Sequence, residues 1–137
     1  AAIEGGPVQQ TWHNLGRALD VALPLVEDGG AIAVCSSLAA EPGPALRRLG
    51  AAPSSREALR QIEEHPPEDA FPALQLARAR QRSRVYLLSG LDESLVEELD
   101  MIPIAQPREL ARLADRHASC ILLSNAPHAV VRVRGEA

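Results

Sequence analysis

The stretch Val26-Glu27-Asp28-Gly29-Gly30-Ala31-Ile32-Ala33-Val34-Cys35-Ser36-Ser37 decides the fold. Upstream of it, Val8, Trp12, Leu15, Leu19, Ala22 and Val26 recur at alternating steps of four and three, the stripe of an amphipathic helix over residues 7–26. Gly5-Gly6-Pro7 supplies a start for that helix, and Gly29-Gly30 supplies a left-handed stop. Ala31–Cys35 is then an unbroken apolar run between turn residues, which reads as a strand covered on both faces. A helix that hands its chain through Gly-Gly to such a strand is the repeating unit of an α/β fold.

Working outward, the same alternation returns. Residues 36–44 read as a loop, 45–49 as a short helix ending at Gly50, and 54–64 as a helix in which Ser54 and Glu57 have capping-box spacing. Pro66-Pro67 breaks the chain. A helix over residues 68–81, burying Phe71, Leu74 and Ala77 or their neighbours, leads into the strand Arg84–Leu88. Ser94 with Glu97 caps a short helix through Leu99, residues 101–104 form a third strand, and Pro107 opens a helix to about His117. Residues 120–123 and 129–133 read as a fourth and a fifth strand. The expectation is one Rossmann-like α/β domain over residues 1–137, in three layers, with a mostly parallel sheet and helices on both faces.

Composition supports this reading. At 137 residues and 46% hydrophobic, the chain has material for one core, and with 2% aromatic content that core is aliphatic. The net charge of -4 and the absence of a basic tail argue against nucleic acid as a partner. The series Arg78, Arg80, Arg82 and Arg84 does not change this, because two-residue steps scatter charges around a helix. No apolar run approaches the roughly 18–20 residues that a membrane span needs. The cysteines, Cys35 and Cys120, flank opposite ends of two expected parallel strands, too far apart for a disulfide. Both read as reduced core thiols, which suits a cytoplasmic setting. Because the chain begins without methionine and soon enters a helix, an upstream part is expected.

All 14 basic residues are arginine. A Schiff-base lysine, a P-loop lysine and a lysine-tethered cofactor are therefore excluded from this chain. His13, His65, His117 and His128 are too scattered to form a ligand set with either cysteine, so no metal is expected here. No Gly-x-Gly-x-x-Gly and no Gly-x-Ser-x-Gly occurs, which removes the usual dinucleotide and serine-hydrolase signatures. A hydrolase using Ser36 or Ser89 lacks a histidine and an acid placed near either. No catalytic residue is assigned.

Two groups remain as candidate sites. Ser36-Ser37, Ser89-Gly90 and Ser124-Asn125 follow expected strands, and parallel sheets bind ligands outside the carboxyl ends of their strands; the same residue types also serve plain turns and caps. Gln10, His13, Asn14 and Arg17 form a polar stripe on the first helix. It is either a solvated face or the lining of a cleft, where Arg17 would pair with a substrate carboxylate and His13 or Asn14 with its hydroxyl.

The order of elements resembles the C-terminal domain of the nickel-pincer-dependent lactate racemase family over nearly the whole chain. The resemblance rests on Ala18-Leu19-Asp20 leading through Val26-Glu27-Asp28-Gly29-Gly30 into Ala31-Ile32-Ala33-Val34, and on Gly43-Pro44 with Leu46. Residues 76–81 running into Arg84-Val85-Tyr86-Leu87-Leu88-Ser89, then Met101-Ile102-Pro103-Ile104 and Glu109-Leu110, complete it. The resemblance implies a racemase-like isomerase of 2-hydroxy acids, working by hydride abstraction and return. Its nickel-pincer nucleotide, tethering lysine and metal histidine would sit in a preceding N-terminal catalytic domain of the same protein. This domain would close over the cleft and be inactive alone. Family positions usually held by Tyr, Gln and Lys fall on His13, Asn14 and Arg17, and a cleft Trp falls near Phe71. The implied substrate is a small anionic hydroxy acid, and His13 and Asn14 point to a hydroxy acid different from lactate or to a related isomerisation. A non-enzymatic α/β ligand-binding or interaction domain is the competing reading.

Overall fold

The computed structural model describes residues 1–135. The stripe expected as one helix over residues 7–26 is divided. Pro7–Gln9 is a 3-10 turn, helix α1 is Trp12–Ala22, and Leu23–Leu25 is a second 3-10 turn. Thr11 opens α1: its hydroxyl accepts a hydrogen bond from the Asn14 amide at 3.1 Å, as an N-cap does. At the other end Pro24, without an N–H, cannot continue the ladder.

The chain continues through β1 (Ala31–Cys35), α2 (Pro44–Ala51), α3 (Ser55–Glu64), α4 (Ala70–Arg82), β2 (Arg84–Leu88), α5 (Glu93–Glu98), β3 (Ile102–Ile104) and α6 (Pro107–Asp115), with a 3-10 turn at Ala126–His128. The first two strands occupy the spans read from sequence. Ser54 caps α3 as expected, accepting from the Glu57 amide at 3.2 Å. The Ser94–Glu97 pair does not cap α5, whose N-cap is Asp92.

The three strands are parallel in the order β1-β2-β3, with Ala33, Tyr86 and Ile102 in one register row and Val34, Leu87 and Pro103 in the next. This is the α/β, Rossmann-like architecture expected. Ile32, Val34, Val85 and Leu87 are buried on one face of the sheet, in a cluster with Leu15 and Leu19 of α1, Leu46 and Leu49 of α2, and Leu76 of α4. Each such side chain stabilises the fold by roughly 1.5–3 kcal/mol, so this face anchors the domain. The alternate residues Ala31, Ala33, Cys35, Tyr86 and Leu88 are only half-buried.

Two expected strands are not formed. Residues 1–3 lie beside β1 instead, with Cys35 N donating to Ala1 O and Ile3 N to Cys35 O, both at 2.9 Å. Ala2 also bonds outward, its N to Leu123 O at 2.8 Å and its O to Ala126 N at 2.9 Å. The segment at residues 120–123 therefore reaches the sheet region only through Leu123, its edge position being taken by the start of the chain. Residues 129–133 are apolar enough for a strand but pair with no neighbour among the described residues, and Val130 and Val133 are 89% and 60% exposed. An isolated β pattern is not self-supporting. Both cysteines are free, but Cys35 is half-buried and Cys120 exposed, which corrects the expectation of two core thiols. Among the described residues no helix is long and apolar enough to cross a membrane.

Since β3 lies at one edge and residues 123–126 beyond the other, the chain after β3 must recross the sheet. Helices α1, α2 and α4 fill one face, which leaves the opposite face for α6. It covers that face thinly, for none of its residues is buried.

Candidate functional site at the carboxyl edge of the sheet

Helices that precede a strand run antiparallel to it, so the N-termini of α1 and α4 come to the carboxyl ends of β1 and β2. Side-chain bonds fix this end. Gln10, just before α1, accepts from Ser36 Oγ at 2.6 Å and from Ser37 N at 3.1 Å, while its Nε2 donates to Ile3 O at 3.0 Å and to Gly5 O at 3.2 Å. Trp12 Nε1 donates to Ala40 O at 2.9 Å. Leu38 N donates to Ser36 Oγ at 3.0 Å and Gly90 N to Leu38 O at 2.9 Å, which joins the loops that follow β1 and β2.

Asp69, at the entrance to α4, adds a further tie. Its carboxylate accepts from Ala45 N at 2.9 Å and Leu46 N at 3.1 Å, capping α2 from another element. A Cβ on Gly43 would lie 2.6 Å from that carboxylate. Only glycine leaves room for it.

The structure brings His13 and Phe71 together, their ring centroids 4.9 Å apart and tilted by 40°. Gly16 makes this possible: a Cβ there would sit 2.9 Å from Pro72 Cα and 3.1 Å from Phe71 Cε1, so the backbones of α1 and α4 approach closely with the Phe71 ring alongside. His13 and Arg17 are exposed one turn apart, and Arg17 has no ion-pair partner among the described residues. Asn14 points elsewhere. It is 8% exposed and its Nδ2 donates to Gln9 O at 2.8 Å and Gln9 Oε1 at 3.3 Å.

Ser36 is half-buried and Ser37 exposed, each engaged with Gln10 as described. Ser89 is half-buried, and its hydroxyl accepts from Leu91 N at 3.2 Å. It borders a cavity of about 100 Å³ between the carboxyl ends of β2 and β3, lined also by Glu93 and Pro103. A larger hollow of about 400 Å³ lies against α3, with Arg56, Arg60 and Gln81. It is away from the carboxyl edge, where the strand ends and helix N-termini meet. No group of three or more His, Cys, Asp or Glu side chains is placed to hold a metal ion among the described residues.

Thr11, Trp12 and Asp69 organise this edge, yet sequence reading assigned none of them to it. An Asp just ahead of an apolar helix is a cap signal, but one that points to its own helix rather than to α2.

The fold and this edge define a Rossmann-like α/β domain with a polar, preorganised carboxyl end. No protein-family model and no curated protein sequence matches the chain. Among solved structures, the lactate racemase apoprotein from Thermoanaerobacterium thermosaccharolyticum is similar, with a TM-score of 0.70 and 16% identity over 84% of this chain and 29% of that one. At that identity the likeness is one of fold. This chain spans less than a third of the length of that protein.

Proposed function

We infer that this chain is the lactate racemase-like domain of a larger isomerase, where it closes over a cleft and helps hold a small anionic 2-hydroxy acid. The observation that carries the reading is the pair His13 and Arg17, exposed on α1 beside Phe71 at the carboxyl edge of a fold shared with lactate racemase. An exposed, unpaired guanidinium suits a carboxylate, which it can grip with two parallel charge-assisted bonds. The His13 imidazole, one turn away, can hydrogen-bond a neighbouring hydroxyl. Asn14 supports this surface from below through Gln9.

A nickel-pincer nucleotide would not be held by the residues of this chain. There is no lysine for a covalent tether, and the described residues offer no metal-ligand group. Tether and metal ligands would come from an N-terminal catalytic domain of the same protein. The part left to this chain is binding and enclosure.

The test is made on the longer parent protein: nickel content, racemisation of small 2-hydroxy acids, and the effect of Arg17→Ala. The expected result is bound nickel and an activity that Arg17→Ala removes with folding intact. A parent without nickel, or one whose activity ignores Arg17→Ala, would sink the proposal. The competing reading, an interaction domain without catalysis, draws on the exposed Ile121, Leu122, Val130 and Val133; it requires the parent to lack isomerase activity.

A further inference from the structure

The two helices that flank β3 carry exposed charge of opposite sign, with Glu109 the acidic neighbour of the α6 arginines. Along α6 and its C-cap, Arg108, Arg112 and Arg116 are four residues apart, so they share one face; all three are exposed. Along α5, Glu93 and Glu97 have the same spacing and are exposed too. None of the five has an ion-pair partner among the described residues. Between the helices lies β3, an edge strand of the described sheet, with Ile102 40% exposed.

The placement of the helices matters as much as their charge. Helix α5 sits on the filled face: a Cβ on Gly50 of α2 would lie 3.0 Å from Glu98 O, and Arg80 of α4 is 3.4 Å from Asp100. The return of the chain from β3 to the far side of β1 carries α6 over the opposite face. A twofold axis normal to the sheet would bring α5 against α5 and α6 against α6, where like charges repel. An axis parallel to β3 exchanges the faces, so that α6 of each copy meets α5 of the other. Charge complementarity therefore selects one arrangement.

We propose that two copies of this chain associate across the β3 edges, with the arginine face of α6 seated on the glutamates of the partner's α5 and Ile102 at the centre. Pro103 has no N–H and interrupts any ladder between the two edges, so the helices and Ile102 carry the contact. Helices of six and nine residues are only about 9 and 14 Å long. The interface is accordingly small, transient and sensitive to salt.

Sedimentation equilibrium of the chain at roughly 10 to 500 µM, where small interfaces assemble, tests this. The expected result is a monomer–dimer equilibrium weakened on the order of tenfold between about 50 and 500 mM salt. Arg108→Glu with Arg112→Glu and Arg116→Glu abolishes the dimer, as does Glu93→Arg with Glu97→Arg, and mixing the two variants restores association as a heterodimer. Circular dichroism checks that each stays folded; should the arginine variant of α5 unfold, Glu93→Gln with Glu97→Gln takes its place and weakens the dimer. A chain that stays monomeric throughout, as it would if this face served a companion domain, overturns the proposal, and so does a dimer indifferent to these substitutions.

Discussion

Gln10 and Ser36 meet at 2.6 Å, the Ser36 hydroxyl donating to Gln10 Oε1. The same oxygen takes the Ser37 amide, and the Gln10 Nε2 reaches the carbonyls of Ile3 and Gly5. One amide side chain thus ties the approach to α1, the start of the chain and the loop after β1 into a single edge.

Gln10→Leu keeps the bulk and removes all four bonds. With a net value of about 0.5–1.5 kcal/mol for a hydrogen bond and partial solvent access here, the loss is about 1–3 kcal/mol. Urea denaturation measures it, and amide shifts at Ser37 and Leu38 show whether the loop is released. A change under about 0.5 kcal/mol, the scatter of neutral surface substitutions, would show that the tie is incidental.

The layered fold was legible because its signals are local. Gly29-Gly30 before Ala31–Cys35, and the apolar run at Arg84–Leu88, need no knowledge of distant residues, and both strands formed where they were read. Residues 120–123 and 129–133 satisfied the same local rule and failed, because a strand needs a neighbour. The neighbour of β1 is the segment at residues 1–3, too short to carry a periodic pattern. The candidate site was legible as a set of names: His13, Arg17 and Phe71 were singled out from sequence, but the contact between His13 and Phe71, which depends on helix packing at Gly16, was not. Nor did the sequence show that Asn14 faces Gln9, because a polar stripe records spacing and not which member turns inward.

Gly16→Ala tests that packing. Alanine has the higher helix propensity, worth up to about 1 kcal/mol, yet its Cβ would lie 2.9 Å from Pro72 Cα. Backbone cannot step aside as a flexible side chain does. Overpacking of this kind costs about 1–3 kcal/mol, so a net destabilisation is expected, together with altered ring-current shifts at His13 as Phe71 moves. A variant as stable as the parent sequence would mean that α1 and α4 part at little cost.

The start of α6 depends on pH. One oxygen of the Glu109 carboxylate accepts from Ala105 N at 2.7 Å and from Gln106 N at 2.9 Å. The bond from Gln106, then that from Ala105, holds its pKa below the usual glutamate range. Because the folded value is the lower one, this stabilisation is complete above the unfolded value, near 4.3, and is lost as pH falls through the folded one. Titration of the Glu109 carboxyl by NMR should show a depressed midpoint, with the Ala105 and Gln106 amides shifting in step. Glu109→Gln should remove that linked transition.

Asp100 combines two demands that substitution can separate. Its backbone is left-handed, at φ 57°, and its carboxylate lies 3.4 Å from Arg80 Nε, where burial lowers the pKa of the guanidinium. Asn tolerates the backbone and loses the charge, Gly relieves the backbone and loses the charge, and Ala loses the charge while leaving the backbone strained. The carboxylate is 79% exposed, so screening limits the pair to about 0.5–1 kcal/mol, whereas a left-handed residue with a Cβ costs roughly 1–2 kcal/mol. Asp100→Gly should therefore be near neutral, Asp100→Asn mildly destabilising, and Asp100→Ala the most damaging of the three. Thermal unfolding of the set measures the order. Equal losses for Asn, Gly and Ala would assign the position to the ion pair alone, because only the charge is common to all three changes.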